Sequence, residues 1–227
     1  EPDTFDPNIG IISPENNSYL SCLDLVIEWT GNDSGSGIDR YEIKIDDGDW
    51  IDVGTATNYT SINIAEGTHI IIIKAIDRAN NEKICRLIIT IEREAPNLVI
   101  VSPSNESYLS VNDLTIRWSG SDGESGIDHY EIKLDDGNWI NINIATNYTF
   151  PDISEGLHVI QVKAVDRAGN ERVCKLIIFV DRRPPSINID SPRNGTQISE
   201  EIITIEWSAE DNYGIKTIKV YVDNELV

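Results

Sequence analysis

The sequence predicts an all-β chain built from tandem β-sandwiches. Three observations carry that expectation. The stretch HVIQVKAVDRAGNERVCKLIIFV, His158 to Val180, reads as a hairpin, and the same hairpin occurs 89 positions earlier as HIIIIKAIDRANNEKICRLIITI, His69 to Ile91. In it Ile160, Val162 and Ala164, then Cys174, Leu176, Ile178 and Val180, alternate with outward residues, the period of two of a half-buried strand. The whole chain repeats at the same interval, through Pro7, Pro96 and Pro185 and through Trp29, Trp118 and Trp207. Within a repeat, turn signals recur every 8–12 residues or so and no helical period is found, the pattern of a sandwich of about seven short strands.

The elements of one repeat follow in order. A short first strand carries Ile9 and Ile11, and SPENNSYLS reads as a turn after it. The second strand, DLVIEW, turns Leu25, Ile27 and Trp29 inward and Glu28 outward. A Gly/Ser/Asp loop, TGNDSGSG, leads to the third strand, IDRYEIKI, with Tyr41, Ile43 and Ile45 inward and Arg40, Glu42 and Lys44 outward. Asp-Asp-Gly then supplies a hairpin turn. One or two strands around Ile51 to Thr60 and an Ala-Glu-Gly turn bring the chain to the hairpin that closes the unit.

These signals divide the chain into repeats at 7–94 and 95–183 and an incomplete one at 184–227, which holds three strands and could not close two sheets alone. The connections Glu92-Arg-Glu-Ala-Pro96 and Asp181-Arg-Arg-Pro-Pro185 are short, and proline makes them semi-rigid, so the repeats should stack as a rod. The chain opens EPDTFDP and contains no Met, as an excerpt of a longer protein would.

The net charge of −21, from 39 acidic against 18 basic residues, repels nucleic acid and anionic lipid, which both need Lys and Arg to displace counterions. It suits a solvated surface, or one that collects divalent cations. No run of 18 or so apolar residues occurs, so this segment has no expected membrane span. The three cysteines, Cys22, Cys85 and Cys174, read as buried free thiols, because the two equivalent ones lie in different repeats.

Repeats of the form SPxNxSY, then W(S/T)GxDxxSGIDxYEIKxDDGxW, then EGxHxIxVKAxDRAGN resemble the immunoglobulin-like repeats of bacterial and archaeal surface proteins. The closing hairpin also resembles the HYR module, without the Cys expected on the first strand, where Ile12 and Val101 stand. The resemblance covers the first two repeats and part of the third. It implies immunoglobulin-like or fibronectin-III-like sandwiches serving as spacer or adhesion modules of a large cell-surface protein.

In such a sandwich the second-to-third-strand loop and the closing hairpin's turn emerge at one end. That places Asp33 near Asp77 and Asn81, and Asp122 near Asp166 and Asn170, a set of hard oxygens suited to Ca²⁺. The same residues can equally cap turn amides by themselves. Glu92, Glu94 and Asp181 in the linkers would reach a neighbour's loops only under the right stacking. Asn16, Asn32, Asn58, Asn105, Asn147 and Asn194 each begin N-x-S/T and are candidate glycan acceptors, although an Asn in a turn needs no sugar to explain it. Trp50 and Trp139 could stack on sugar rings or pack on the sandwich edge, and His69 and His158 read as structural. No catalytic motif is present, and the carboxylate pairs Asp46-Asp47 and Asp135-Asp136 sit on turn tips without a groove.

The expected function is therefore non-enzymatic: an extracellular stalk or adhesin segment, with cell-surface proteins or glycans as partners and Ca²⁺ as a candidate stiffener. The alternatives are a carbohydrate-binding accessory of a secreted enzyme and a surface-layer or filament subunit.

Overall fold

The computed structural model describes residues 2–199 and 201–226. In the first repeat the strands are β1 (Asn8–Ser13), β2 (Ser18–Leu20), β3 (Leu25–Asn32), β4 (Ile38–Ile45), β5 (Ile51–Gly54), β6 (Asn58–Ser61), β7 (Gly67–Asp77) and β8 (Glu82–Ile91). They form a three-stranded sheet in the order β1-β3-β6 and a five-stranded sheet in the order β2-β8-β7-β4-β5. No helix occurs among the described residues, so none is available to cross a membrane.

The two sheets close over one core, whose faces the alternating pattern selects. Leu25, Ile27 and Trp29 of β3 are 1%, 0% and 1% exposed, and they face Tyr41 and Ile43, Ile71 and Ile73, and Leu87, Ile89 and Ile91 from the other sheet. Each such side chain contributes about 1.5–3 kcal/mol by leaving water. Trp29 meets the Tyr41 ring edge-on at 5.9 Å and 73°, a favourable arrangement of the two quadrupoles. Gly31 makes room for this pair, since a Cβ there would lie 2.5 Å from the Tyr41 hydroxyl.

The second repeat rebuilds the same object. Its strands are β9 (Asn97–Ser102), β10 (Ser107–Leu109), β11 (Leu114–Ser121), β12 (Ile127–Leu134), β13 (Ile140–Asn141), β14 (Asn147–Phe150), β15 (Gly156–Asp166) and β16 (Glu171–Val180). The sheets run β9-β11-β14 and β10-β16-β15-β12-β13 around a separate core centred on Ile116, Trp118, Ile132, Val162 and Ile178. The third repeat contains β17 (Ser186–Ser191), β18 (Glu206–Glu210), β19 (Tyr221–Val222) and β20 (Glu225–Leu226), in two separate two-stranded sheets.

The SPENNSYLS segment is more than a turn. After Pro14 the chain leaves the small sheet, and Ser18–Leu20 pairs in parallel with Ile89–Ile91 of β8. Asn16 and Asn17 make the transfer: Asn16 Oδ1 accepts the Ile88 amide at 2.9 Å and Asn17 N donates to the Ile88 carbonyl at 2.7 Å. The pattern misses β2 because three residues are too short to display a period. The three thiols are free, as expected, and half-buried.

Candidate cation site at the loop ends of the first two repeats

The turn of the closing hairpin is built on one buried carboxylate. Asp77 Oδ1 accepts the amides of Ala79 and Asn81, both at 2.8 Å, and its Oδ2 accepts Asn81 Nδ2 at 2.8 Å. Asp166 holds Asn170 in the same way, at 2.8 Å through the amide and 2.9 Å through the side chain. Desolvation pushes the Asp77 carboxyl up, but the Asn81 side chain and the Asn81 and Ala79 amides outweigh it and hold the group below the ordinary carboxylate range.

The loop between β3 and β4 brings a second carboxylate. Asp33 Oδ2 accepts the amides of Gly35 and Gly37 at 3.0 and 2.8 Å. Asp122 Oδ2 accepts from Gly126 N at 2.8 Å and from Ser125 Oγ at 3.1 Å. The two loops are tied directly, Arg78 N to Gly37 O and Arg167 N to Gly126 O, both at 3.1 Å.

A third carboxylate comes from the segment preceding each repeat. Asp3 Oδ2 accepts the Ser36 amide at 2.6 Å, and Asn81 Nδ2 donates to the Asp3 carbonyl at 3.3 Å. Glu92 repeats this at the next joint: its Oε2 accepts the buried Ser125 amide at 2.9 Å, and its carbonyl accepts from Asn170 Nδ2 at 3.1 Å. The Phe5 and Ser36 amides hold the Asp3 carboxyl below its usual range. Of the linker carboxylates, it is Glu92 that meets the loops of the following repeat.

The result is two equivalent triads, Asp3–Asp33–Asp77 and Glu92–Asp122–Asp166, in each of which one carboxylate oxygen per residue lies within 4.8 Å of the others. Among the described residues no basic side chain forms an ion pair with any of the six. A cleft lined by Glu66, Glu92, Glu94 and Glu124 opens beside the second triad. Asn81 and Asn170 sit at the triads, but their amide groups donate to the aspartate and to the linker carbonyl, so they act as brackets for the carboxylates. Asp3 belongs to the first triad and was not singled out from the pattern. Its signal was its place 89 residues before Glu92.

The other candidates lie apart. All six N-x-S/T asparagines are exposed. Asn16 and Asn105 use their Oδ1 to accept the Ile88 and Ile177 amides at the β8 and β16 edges. Asn58 and Asn147 begin β6 and β14, Asn32 ends β3, and Asn194 lies in the third repeat's turn. Trp50 and Trp139 stand on the outer faces with lysine ammonium groups over their rings, Lys74 at 4.4 Å from the first and Lys133 and Lys163 at 5.1 and 5.0 Å from the second. His69 is held between Asp46 Oδ2 at 2.7 Å and the Ala65 carbonyl at 3.0 Å, and His158 between Asp135 Oδ2 and the Ser154 carbonyl. With an acceptor facing each nitrogen, these imidazoles are structural pins.

One device escaped the sequence reading. Arg93 follows Glu92 and turns back on its own repeat, donating to the Cys22 and Ile64 carbonyls at 2.8 and 2.7 Å. Arg182 does the same to Val111 and Ile153, at 2.8 and 2.9 Å. Each joint therefore has an arginine gripping the repeat just ended, and at the first joint Glu92 grips the repeat about to begin.

Comparison with known proteins agrees with this architecture. Residues 185–227 match the family described as bacterial Ig domain. The fibronectin(III)-like modules of Clostridium thermocellum CbhA superpose with a TM-score of 0.57 at 20% identity, over 76% of this chain and 94% of that one. The FN1–FN3 domains of chicken CNTN1 are more distant, with a TM-score of 0.43 and 14% identity over 77% of this chain and 68% of theirs. Among curated proteins, Bacillopeptidase F of Bacillus subtilis (strain 168) is 21% identical over 145 residues, which is 63% of this chain and 10% of that protein. The chain thus spans about a tenth of that relative's length.

Proposed function

We propose that this run of bacterial immunoglobulin-like repeats is a segment of an extracellular rod whose joints are stiffened by a divalent cation, Ca²⁺ by the chemistry of its oxygen donors. The observation that carries the reading is the delivery of a linker carboxylate onto two loop carboxylates of the following repeat, within 4.8 Å and without a basic partner among the described residues. Three like charges so close repel one another, and a hard cation with six to eight oxygen ligands relieves that repulsion. Glu92 is the residue that turns a loop site into a joint, because it belongs to one repeat and touches the other. Fixing it fixes the angle between them. A protein that projects other modules from a surface needs such resistance to bending, and the strongly acidic surface suits a cation-rich exterior. Modules of this class are typically non-catalytic.

A glycan-binding role finds less support. A sugar platform needs an open aromatic face, and lysines occupy the faces of Trp50 and Trp139.

The test is calorimetric titration of the chain with Ca²⁺ after EDTA treatment, beside Asp166→Asn and Glu92→Gln. Binding to the folded state at a hundredfold excess over Kd adds about 2.7 kcal/mol per site and raises the melting temperature. Loss of one site in each variant supports the reading. Equal melting in EDTA and in Ca²⁺ with no binding heat would reduce the triads to turn caps and leave an unmetallated spacer.

A further inference from the structure

The two joints of the chain are made of different materials. At the first, Glu92 reaches Ser125 and Asn170. At the second, the equivalent residue is Asp181, whose Oδ1 accepts, among the described residues, only the nearby Arg183 amide, at 3.0 Å. In place of the carboxylate contact stands a cluster of three rings. Tyr108 of β10 and Phe179 of β16 are register partners in the second repeat and stack at 4.6 Å and 12°. Tyr213, from the loop after β18 in the third repeat, meets Tyr108 edge-on at 5.8 Å and 64°, and Phe179 at 5.7 Å and 62°. The equivalent positions at the first joint are Tyr19, Thr90 and Glu124, so that joint has one aromatic residue where the second has three.

We infer that Tyr108, Phe179 and Tyr213 form an aromatic clasp that holds the second joint without any ion. Stacked and edge-to-face contacts between rings are favourable in themselves, and they remove apolar area from water, so they are indifferent to chelators. Tyr213 lies on the loop that corresponds to the Asp122–Gly126 segment of the first joint. The clasp therefore anchors by ring contact the same loop that the first joint anchors by charge. The consequence is a rod with two kinds of hinge. Removing divalent cations lets the first joint bend, and the second keeps its angle. This contrast rests on the cation reading given above, whereas the clasp itself does not.

The clasp is tested by pulsed electron–electron distance measurements on the whole chain, with Cys22→Val, Cys85→Ala and Cys174→Ala removing the native thiols. Nitroxides on Asp52→Cys and Asn141→Cys span the first joint, and nitroxides on Asn141→Cys and Ser208→Cys span the second. All four spectra, with EDTA and with Ca²⁺, are compared with those of Phe179→Thr/Tyr213→Glu, which installs the first joint's residues at the second. In EDTA the second joint should give a narrow distance distribution, and the double variant should widen it at least about twofold as the joint samples more states. The reverse graft, Thr90→Phe/Glu124→Tyr, should narrow the first joint in EDTA. Equal widths with and without the clasp would overturn the inference, as would a broad second joint in the parent chain. If the first joint does not respond to Ca²⁺ while the second responds to the double variant, the clasp stands and the cation reading falls.

Discussion

Leu25, Ile27 and Trp29 of the first repeat and Ile203, Ile205 and Trp207 of the third occupy equivalent positions in nearly the same pattern. The first three are 1%, 0% and 1% exposed, and the other three 55%, 36% and 42%. The pattern of the strand chooses which side chains face inward, but their burial requires the opposing sheet. In the first two repeats β7–β8 and β15–β16 supply it, as the centre of each five-stranded sheet. Among the described residues of the third, β17 and β18 face no such partner. The hairpin that dominates the sequence pattern is thus also the element that converts amphipathic strands into a core.

The largest effect that would break this comparison is in the core. Trp29→Ala should cost the first repeat about 3–5 kcal/mol, whereas Trp207→Ala should cost under about 1 kcal/mol because no opposing sheet closes over it among the described residues. Denaturant melts followed by the remaining tryptophans would measure both, and equal costs would mean the third repeat is closed in solution. Next comes the exit arginine. Arg93→Ala leaves the Cys22 and Ile64 carbonyls without their donor and should cost about 1–3 kcal/mol, while Arg93→Lys recovers only part of it because an ammonium lacks the guanidinium's second donor, Nε, to the Cys22 carbonyl.

A similar or smaller loss, about 1–3 kcal/mol, is expected for Gly31→Ala, which drives a methyl into the Tyr41 ring. The third repeat sharpens this prediction, since Ala209 and Ile218 stand where Gly31 and Tyr41 do: without the tyrosine, the glycine is not needed. Exchanging Ala209→Gly should change stability little in the same melts.

The smallest effect concerns pH. The Asp77 and Asp3 carboxyls are held below their ordinary values, so their contribution is present above the ordinary carboxylate range and lost as pH falls through the depressed folded values. The first repeat's melting temperature should therefore drop as the pH is lowered below about 4, and Asp77→Asn should flatten that drop. A profile unchanged by the substitution would show that these carboxylates carry no linked protons.

Much of this was legible beforehand because the information is local. A period of two marked the inward faces, Asp-Gly and Ala-Gly-Asn marked the turns, and the 89-residue interval paired equivalent positions. Asp33 and Asp77 could be placed together because two loops of a sandwich share an end. Other features were not local. A three-residue β2 shows no periodicity and exists only because β8 offers a parallel edge. Arg93 looked like an ordinary charge in a Pro-containing linker, and its two acceptors lie 71 and 29 residues away.

The sequence by itself determined the strands, their faces and the repeat, since these follow from side-chain alternation and backbone preferences within a few residues. Only the tertiary structure decided that Asp3 and Glu92 would meet the loops of the next repeat and that Tyr213 would close on Tyr108 and Phe179. Those outcomes depend on which surfaces face each other across a joint or between two sheets, and a one-dimensional pattern carries no term for a partner that distant.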